Sequence, residues 1–179
     1  MTDKKAEKIR LVLFDVDGVL TDGKILLHAD GTESKVFDIK DGTGIVWAQR
    51  LGLVVGFLSA RSSAATAQRA AQLGITLVHQ GVASKRDTYD QIADSLMLED
   101  DEIAYMGDDI LDLPVLARVG LATAPADAAG DVLTRVHWVA QAKGGAGAAR
   151  ELIELILRSR GLWDSVIATY LPDAHRQPS

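Results

Sequence analysis

The chain reads as an α/β protein, a parallel sheet with helices on both faces. Three observations carry that reading. Short apolar runs alternate with helical patterns along the chain, the rhythm of βαβ units. Several of those runs end on acidic or hydroxyl residues, and in an open α/β sheet the carboxyl ends of the strands share the crevice where ligands bind. One segment breaks the rhythm with an Asp-Gly pair between two strand-like stretches, which is a hairpin signal.

In chain order, strands are expected at 9–14, 53–58, 76–78, 103–106, 120–122 and 136–139. Each is a short apolar run bounded by turn residues, as a strand buried on both faces should be. Helices are expected at 44–50, 64–73, 85–96, 113–119 and 146–158. Gly52, Gly74 and Gly120 stand where helices should stop, the place of a C-cap glycine. The hairpin would pair 24–28 with 34–38 around Ala29-Asp30-Gly31-Thr32, directly after the first strand. Residues 1–8 read as a polar N-terminal tail and 9–160 as one domain. Residues 161–179 read as a short amphipathic helix (Leu162, Val166, Ile167, Tyr170) with a polar tail.

Bulk properties narrow the function classes. A chain of 179 residues supports one domain with a sizeable core. A net charge of −6 lacks the basic footprint of a nucleic-acid binder. With no cysteine, disulfides, thiolate metal sites and cysteine nucleophiles are excluded. No run approaches the roughly 20 apolar residues of a membrane helix, and residues 1–8 lack the apolar stretch of a signal peptide. A cytoplasmic protein with no membrane or nucleic-acid partner is the expectation.

The chemistry gathers at four strand ends. The first apolar run leads into Asp15-Val16-Asp17-Gly18-Val19-Leu20-Thr21, and a later one into Gly107-Asp108-Asp109-Ile110-Leu111-Asp112. Carboxylates collected in one crevice repel unless a divalent cation holds them, and Mg²⁺ suits oxygen ligands, with one or two carboxylates and several waters. Asp15 is therefore expected as nucleophile and metal ligand. Asp17 is expected as general acid/base, with its backbone carbonyl available to the metal. Asp108, nearest its strand, is the third metal position. Asp109 and Asp112 are expected to orient metal-bound waters or neighbouring side chains. Simpler readings exist for each: Asp-Gly is a turn dipeptide, and Asp112 before Leu113-Pro114 suits a plain helix N-cap.

Two further strand ends supply cations and hydroxyls. Lys85 follows Ser84 at a helix start, where a cation opposes the helix dipole by roughly 0.3–1 kcal/mol. A bound anion would relieve that penalty, so Lys85 reads as a partner of phosphate and of Asp15. Ser59, Ala60 and Arg61 close the second strand and offer a hydroxyl, backbone N–H groups and a cation to phosphate oxygens. The segment 40–44 reads as a flexible turn in which Asp41 or Thr43 could cap a helix. His28, His79, His137 and His175 show no ligand spacing, and Trp47, Trp138 and Trp163 read as packing residues. Gly144-Gly145-Ala146-Gly147 matches no P-loop. Phosphate-monoester hydrolysis requires enhancements of up to ~10²¹, and an aspartate nucleophile divides it into two easier displacements.

Motif order separates the reaction classes. A signalling receiver domain also combines carboxylates, Mg²⁺, Ser/Thr and lysine, but places its acidic pair before its phospho-acceptor and its lysine last. The order here, D-x-D, Ser, Lys, then D-D-x-x-D, resembles the haloacid dehalogenase superfamily of phosphotransferases. Segments 9–23, 36–45, 73–75, 80–81, 104–114 and 144–151 further resemble the 3-deoxy-D-manno-octulosonate 8-phosphate phosphatase family, over about residues 9–158. That resemblance implies a capless Rossmann-like core, Mg²⁺ and a role in lipopolysaccharide biosynthesis. It also implies a homotetramer in which one subunit's hairpin covers another's site. By motif position it puts the nucleophile on Asp15, the acid/base on Asp17 and the third metal position on Asp108. Two positions depart from the family: Ser59-Ala60 stands for the common Thr-Gly, and Ala146 for a common arginine. Nonulosonate 9-phosphate phosphatases are close relatives and the alternative substrate class. The stretches between Asp15 and Ser59 and between Ser59 and Lys85 are filled by core elements, which leaves no room for a lid domain. A neighbour's hairpin would supply the cover. Lys40, Arg61 and Arg176 are candidate cations for a sugar carboxylate.

Overall fold

The computed structural model describes residues 2–171. Eight strands run in chain order: β1 (Leu11–Phe14), β2 (Leu26–Leu27), β3 (Glu33–Ser34), β4 (Val54–Leu58), β5 (Leu77–His79), β6 (Ile103–Met106), β7 (Leu121–Ala124) and β8 (Trp138–Val139). Six form one sheet in the order β5-β4-β1-β6-β7-β8, and every pairing in it is parallel. The chain builds outward from β1 through β4 to β5, then crosses to the other side for β6, β7 and β8. The direction of winding therefore reverses at β1, and the crevice opens at the carboxyl ends there. β2 and β3 pair antiparallel as the separate hairpin.

Alternate residues of each strand face opposite sides. Val12, Phe14, Val55, Phe57, Ala104 and Met106 face a core closed by α1 (Thr2–Ala6), α2 (Ile39–Arg50), α3 (Ala64–Gln72), α7 (Ala148–Ser159) and α8 (Trp163–Tyr170). Leu11, Leu13, Leu58, Ile103 and Tyr105 face α4 (Lys85–Leu96), α5 (Leu113–Leu116) and α6 (Gly130–Leu133). Trp47, Trp138 and Trp163 pack against the first core, as expected.

Five expectations need correction. Residues 1–8 hold α1, whose Ala6 is buried, rather than a free tail. The segment 40–44 is not a turn, because α2 already starts at Ile39, with the Asp38 carboxylate accepting from the N–H groups of Lys40 and Asp41. Gly42 and Gly44 lie inside that helix, where a Cβ would collide with the Arg69 and Arg150 side chains. Asp41 does not cap its own helix. It accepts from the Arg150 N–H at 2.7 Å and so serves the start of α7, whose own N-cap is Gly147. Gly120 is no left-handed cap: a Cβ there would meet the Asp101 backbone, and its N–H donates to the Asp100 carbonyl at 2.6 Å. Finally, 113–119 is helical only over Leu113–Leu116. Within 161–179, α8 joins the main core through buried Val166, while residues 172–179, including Arg176, lie outside the described residues.

Candidate active site

The functional side chains sit where parallel strands give way to loops. The Asp15 N–H still donates to the Met106 carbonyl at 3.0 Å, so the expected nucleophile is tied to the sheet. Beyond it the chain curls, and the N–H groups of Leu20 and Thr21 both return to the Val16 carbonyl, at 3.0 and 3.1 Å. Gly18 has φ +97°, and a Cβ there would overlap the Asp108 carboxylate. Only glycine lets the β1 and β6 loops approach this closely. The roof comes from the far end of the chain. Gly144 lies against the Gly18 carbonyl with no room for a Cβ, and the Gly145 N–H donates to the Val19 carbonyl at 2.9 Å. The glycine run thus backs the catalytic loop rather than forming a phosphate cradle.

Lys85 is the hub of the inner cluster. Its ammonium lies 2.8 Å from Asp15 Oδ1, 2.6 Å from Asp112 Oδ1 and 3.1 Å from the Tyr105 hydroxyl. Ser84 caps α4, its Oγ accepting from the Asp87 N–H at 3.2 Å, and this fixes where Lys85 enters the site. Burial alone would lower the Lys85 pKa, but Asp15 and Asp112 together raise it, so the charge stays. Asp112 is fully engaged. Oδ2 accepts from the N–H groups of Asp108 and Asp109 at 2.9 and 3.1 Å, while Oδ1 takes Lys85 and the Tyr105 hydroxyl. The plain N-cap reading of Asp112 therefore fails: its carboxylate makes no cap bond to α5 and shapes the loop carrying Asp108. Asp109 caps the short turn Ile110–Asp112, accepting from the Ile110 N–H.

The remaining carboxylates fit a cation. Asp15, Asp108 and Asp112 each offer an oxygen within 4.8 Å of the others. Asp112 has both oxygens committed, which leaves Asp15 and Asp108. Asp108 Oδ1 is buried with no hydrogen-bond partner among the described residues. Burial, then Asp15 and Asp112, push the Asp108 carboxyl up to about 8. Burial pushes Asp15 up to about 6 against the pull of Lys85. Two hard oxygen donors held close, with raised proton affinity and an unpartnered oxygen, match the donor set Mg²⁺ requires.

Asp17 behaves differently. Its carboxylate turns from this cluster to Lys35, whose ammonium is 2.7 Å from Oδ1, and to Arg61, whose Nε is 3.4 Å from Oδ2. With its carboxylate turned to these two cations, the Asp17 backbone carbonyl is the oxygen expected to face a metal. Arg61 also holds Glu33 at 2.9 Å. Ser59 is buried, its N–H donating to the His79 carbonyl and its Oγ accepting from the Arg61 N–H at 3.3 Å. Asp15, Asp17, Ser59, Ala60, Arg61, Lys85, Asp108, Asp109 and Asp112 all line one cavity of about 300 Å³, with Gly23 and Leu111. Lys40 does not line it.

Sequence reasoning missed Tyr105, Lys35 and Glu33. Tyr105 was hidden as one more apolar strand residue, though a hydroxyl buried mid-sheet demands a partner. Glu33 and Lys35 drew no attention within the hairpin segment. Their spacing of two, which puts both on one face of a strand, was the available signal.

No family model matches the chain. It is 39% identical to the 3-deoxy-D-manno-octulosonate 8-phosphate phosphatase KdsC of Escherichia coli K12 over 160 residues, covering 89% of this chain and 85% of that one. To the phosphatase of the same name from Yersinia pestis it is 40% identical over 154 residues, 86% of this chain and 82% of that one. The crystal structure of the Moraxella catarrhalis phosphatase, in complex with a magnesium ion, a phosphate ion and a KDO molecule, matches with TM-score 0.92 at 34% identity. That match covers 94% of this chain and 97% of the other. The cobalt-bound phosphatase from Haemophilus influenzae matches with TM-score 0.85 at 38% identity, covering 88% and 92%. Sequence and fold agree over most of both partners, and the chain belongs to the 3-deoxy-D-manno-octulosonate 8-phosphate phosphatase family of the haloacid dehalogenase superfamily.

Proposed function

We propose that this protein hydrolyses 3-deoxy-D-manno-octulosonate 8-phosphate to the free sugar acid and phosphate, with Mg²⁺, in lipopolysaccharide biosynthesis. The observation that carries the reading is the Asp15 carboxylate at the end of β1, held at 2.8 Å by Lys85 and beside Asp108. An Asp15 oxygen attacks phosphorus as the bond from phosphorus to the sugar oxygen breaks, giving an aspartyl-phosphate. Asp17 gives its proton to the departing oxygen, then takes one from the water that releases phosphate. Lys85 and the N–H groups after Ser59 bind phosphoryl oxygens and stabilise the charge that spreads over them. Asp15, Asp108 and the Asp17 carbonyl would hold Mg²⁺, which draws nucleophile and phosphoryl oxygens together and neutralises charge.

The family relatives named for this substrate support the choice of sugar acid, and Arg61 offers a half-exposed cation within the cavity. Ala146, where an arginine is common in the family, favours testing the nonulosonate 9-phosphate alternative alongside it. The test compares kcat/KM for the eight-carbon acid phosphate, the nine-carbon acid phosphate and simple hexose phosphates. A preference for the eight-carbon acid is expected. A preference for the nine-carbon acid moves the protein to the sialic-acid branch, and equal rates on hexose phosphates remove the acidic-sugar assignment. A receiver domain would hold phosphate without releasing a stream of it.

The same reading makes the protein a cytoplasmic homotetramer in which one subunit's hairpin covers another's cavity. Leu26, Leu27, Val36 and Ile39, on the hairpin and the start of α2, are 63%, 74%, 78% and 79% exposed, large apolar side chains that suit association. Light scattering should give the mass of four chains, and a monomer at micromolar concentration overturns the shared-cover arrangement.

A further inference from the structure

We propose that Lys35 is the positioning residue for Asp17. It would orient the Asp17 carboxylate and pair its charge. The inference rests on the role of Asp17 given above. Lys35 lies one residue beyond β3, and its ammonium donates to Asp17 Oδ2 at 2.9 Å while lying 2.7 Å from Oδ1. Its side chain is 1% exposed, against 50% for Arg61, the other cation on that carboxylate. A lysine buried this fully is costly unless its charge is used. Lys35 has few other partners: the Thr66 hydroxyl at 3.4 Å and Glu33 Oε1 at 3.9 Å.

Lys35 does not line the cavity, whereas Asp17 does. It therefore acts through Asp17 and not on the substrate. Two consequences follow from the geometry. The first is orientation: a carboxylate hydrogen-bonded at Oδ2 by a buried ammonium that also lies against Oδ1 is restricted in its rotamer. The second is electrostatic. The ionised Asp17 carboxylate faces a fixed, desolvated cation that needs no reorganisation to meet it. Lys85 has the matching relation to Asp15, so nucleophile and proton donor each have a buried lysine of their own. A plain structural reading makes Lys35 a clasp that ties the hairpin to the domain. The two readings differ in what they do to leaving groups.

The experiment uses substituted phenyl phosphates, which lack the sugar, with kcat/KM read for each. This quantity covers only steps up to departure of the leaving group. p-Nitrophenolate leaves without a proton and phenolate benefits from one. Loss of the proton donor therefore steepens the dependence of rate on leaving-group basicity. Asp17→Asn sets the reference. Lys35→Met should steepen the same plot, with the phenyl phosphate rate falling about tenfold or more and the p-nitrophenyl phosphate rate several-fold less. Lys35→Arg should restore most of the slope. Equal losses across the series for Lys35→Met, or no loss, would overturn the proposal and leave a clasp. If Asp17→Asn itself leaves the slope unchanged, the role of Asp17 fails first and the proposal falls with it. Circular dichroism checks the fold, and Lys35→Gln gives the same comparison if the methionine variant does not fold.

Discussion

Two buried lysines flank the catalytic loop, and the protein holds them by different means. Lys85 belongs to the sheet side. It enters from a capped helix and meets Asp15 and Tyr105, at the ends of β1 and β6, and Asp112, in the turn before α5. Lys35 comes from the hairpin, joined to the domain through Asp17, Thr66 and the pair Glu33–Arg61. The first set is fixed by backbone hydrogen bonds, through the sheet for Asp15 and through the loop N–H groups of Asp108 and Asp109 for Asp112. The second is fixed by side chains alone, on an element whose outer residues are exposed. A nucleophile must stay within a fraction of an ångström of its line of attack, and the sheet supplies that rigidity. A proton donor serves two successive steps, and on the hairpin side its place depends on the buried Lys35 pair.

The largest effect expected on this comparison is at its rigid centre. Asp15→Asn keeps the shape and removes the nucleophilic charge. Turnover of any phosphate ester should fall by about 10⁴-fold or more, as seen when an essential nucleophile is removed. Retained turnover in the purified variant would show that the inner cluster is not where chemistry occurs.

Asp112→Asn comes next. It takes one charge from Lys85 and weakens the acceptor for the Asp108 and Asp109 N–H groups. Activity should fall by roughly 10- to 100-fold, the cost typical of groups that orient metal ligands. The Mg²⁺ needed for half-maximal rate should rise. A change in rate with unaltered Mg²⁺ demand would confine Asp112 to Lys85.

The third test uses pH. Asp15 and Asp108 have pKa values pushed above the ordinary carboxylate range, to about 6 and about 8. Between that range and pH 8 the metal-free folded chain therefore binds more protons than the unfolded one, and its stability falls as pH rises through this window. A bound cation takes the place of those protons. Saturating Mg²⁺ should raise Tm by several degrees near pH 8 and by little near pH 5. A gain independent of pH would detach the cation from these two groups.

The smallest effect belongs to the outer cluster. Glu33→Gln breaks a half-exposed pair with Arg61, a class of interaction worth about 0–1 kcal/mol. Tm should move by no more than about 3 °C, well below the change in Asp112→Asn. A larger shift would mean that the hairpin is held as firmly as the sheet.

Much of this arrangement could be read from the chain. Strand ends converge in any parallel α/β sheet, so four polar groups placed after four apolar runs had to meet. That logic located Asp15, Ser59, Lys85 and Asp108 in one cavity and gave α4 its observed bounds. What escaped depended on contacts between distant segments. Gly42 and Gly44 suggested a turn because glycine weakens helices; here they make room for two arginines. Asp112 resembled a cap because its neighbours do, while Lys85 and Tyr105, which claim its carboxylate, come from other elements. Lys35 gave no local sign of burial, since nothing in a hairpin reveals what it will fold against.

The contact of Gly144 and Gly145 with the loop of Gly18 and Val19 ties the two ends of the domain together. On a ribosome, the segment bearing the nucleophile emerges early and waits for nearly the whole chain before its roof exists. The catalytic loop therefore reaches its final packing only after the glycine run has been made.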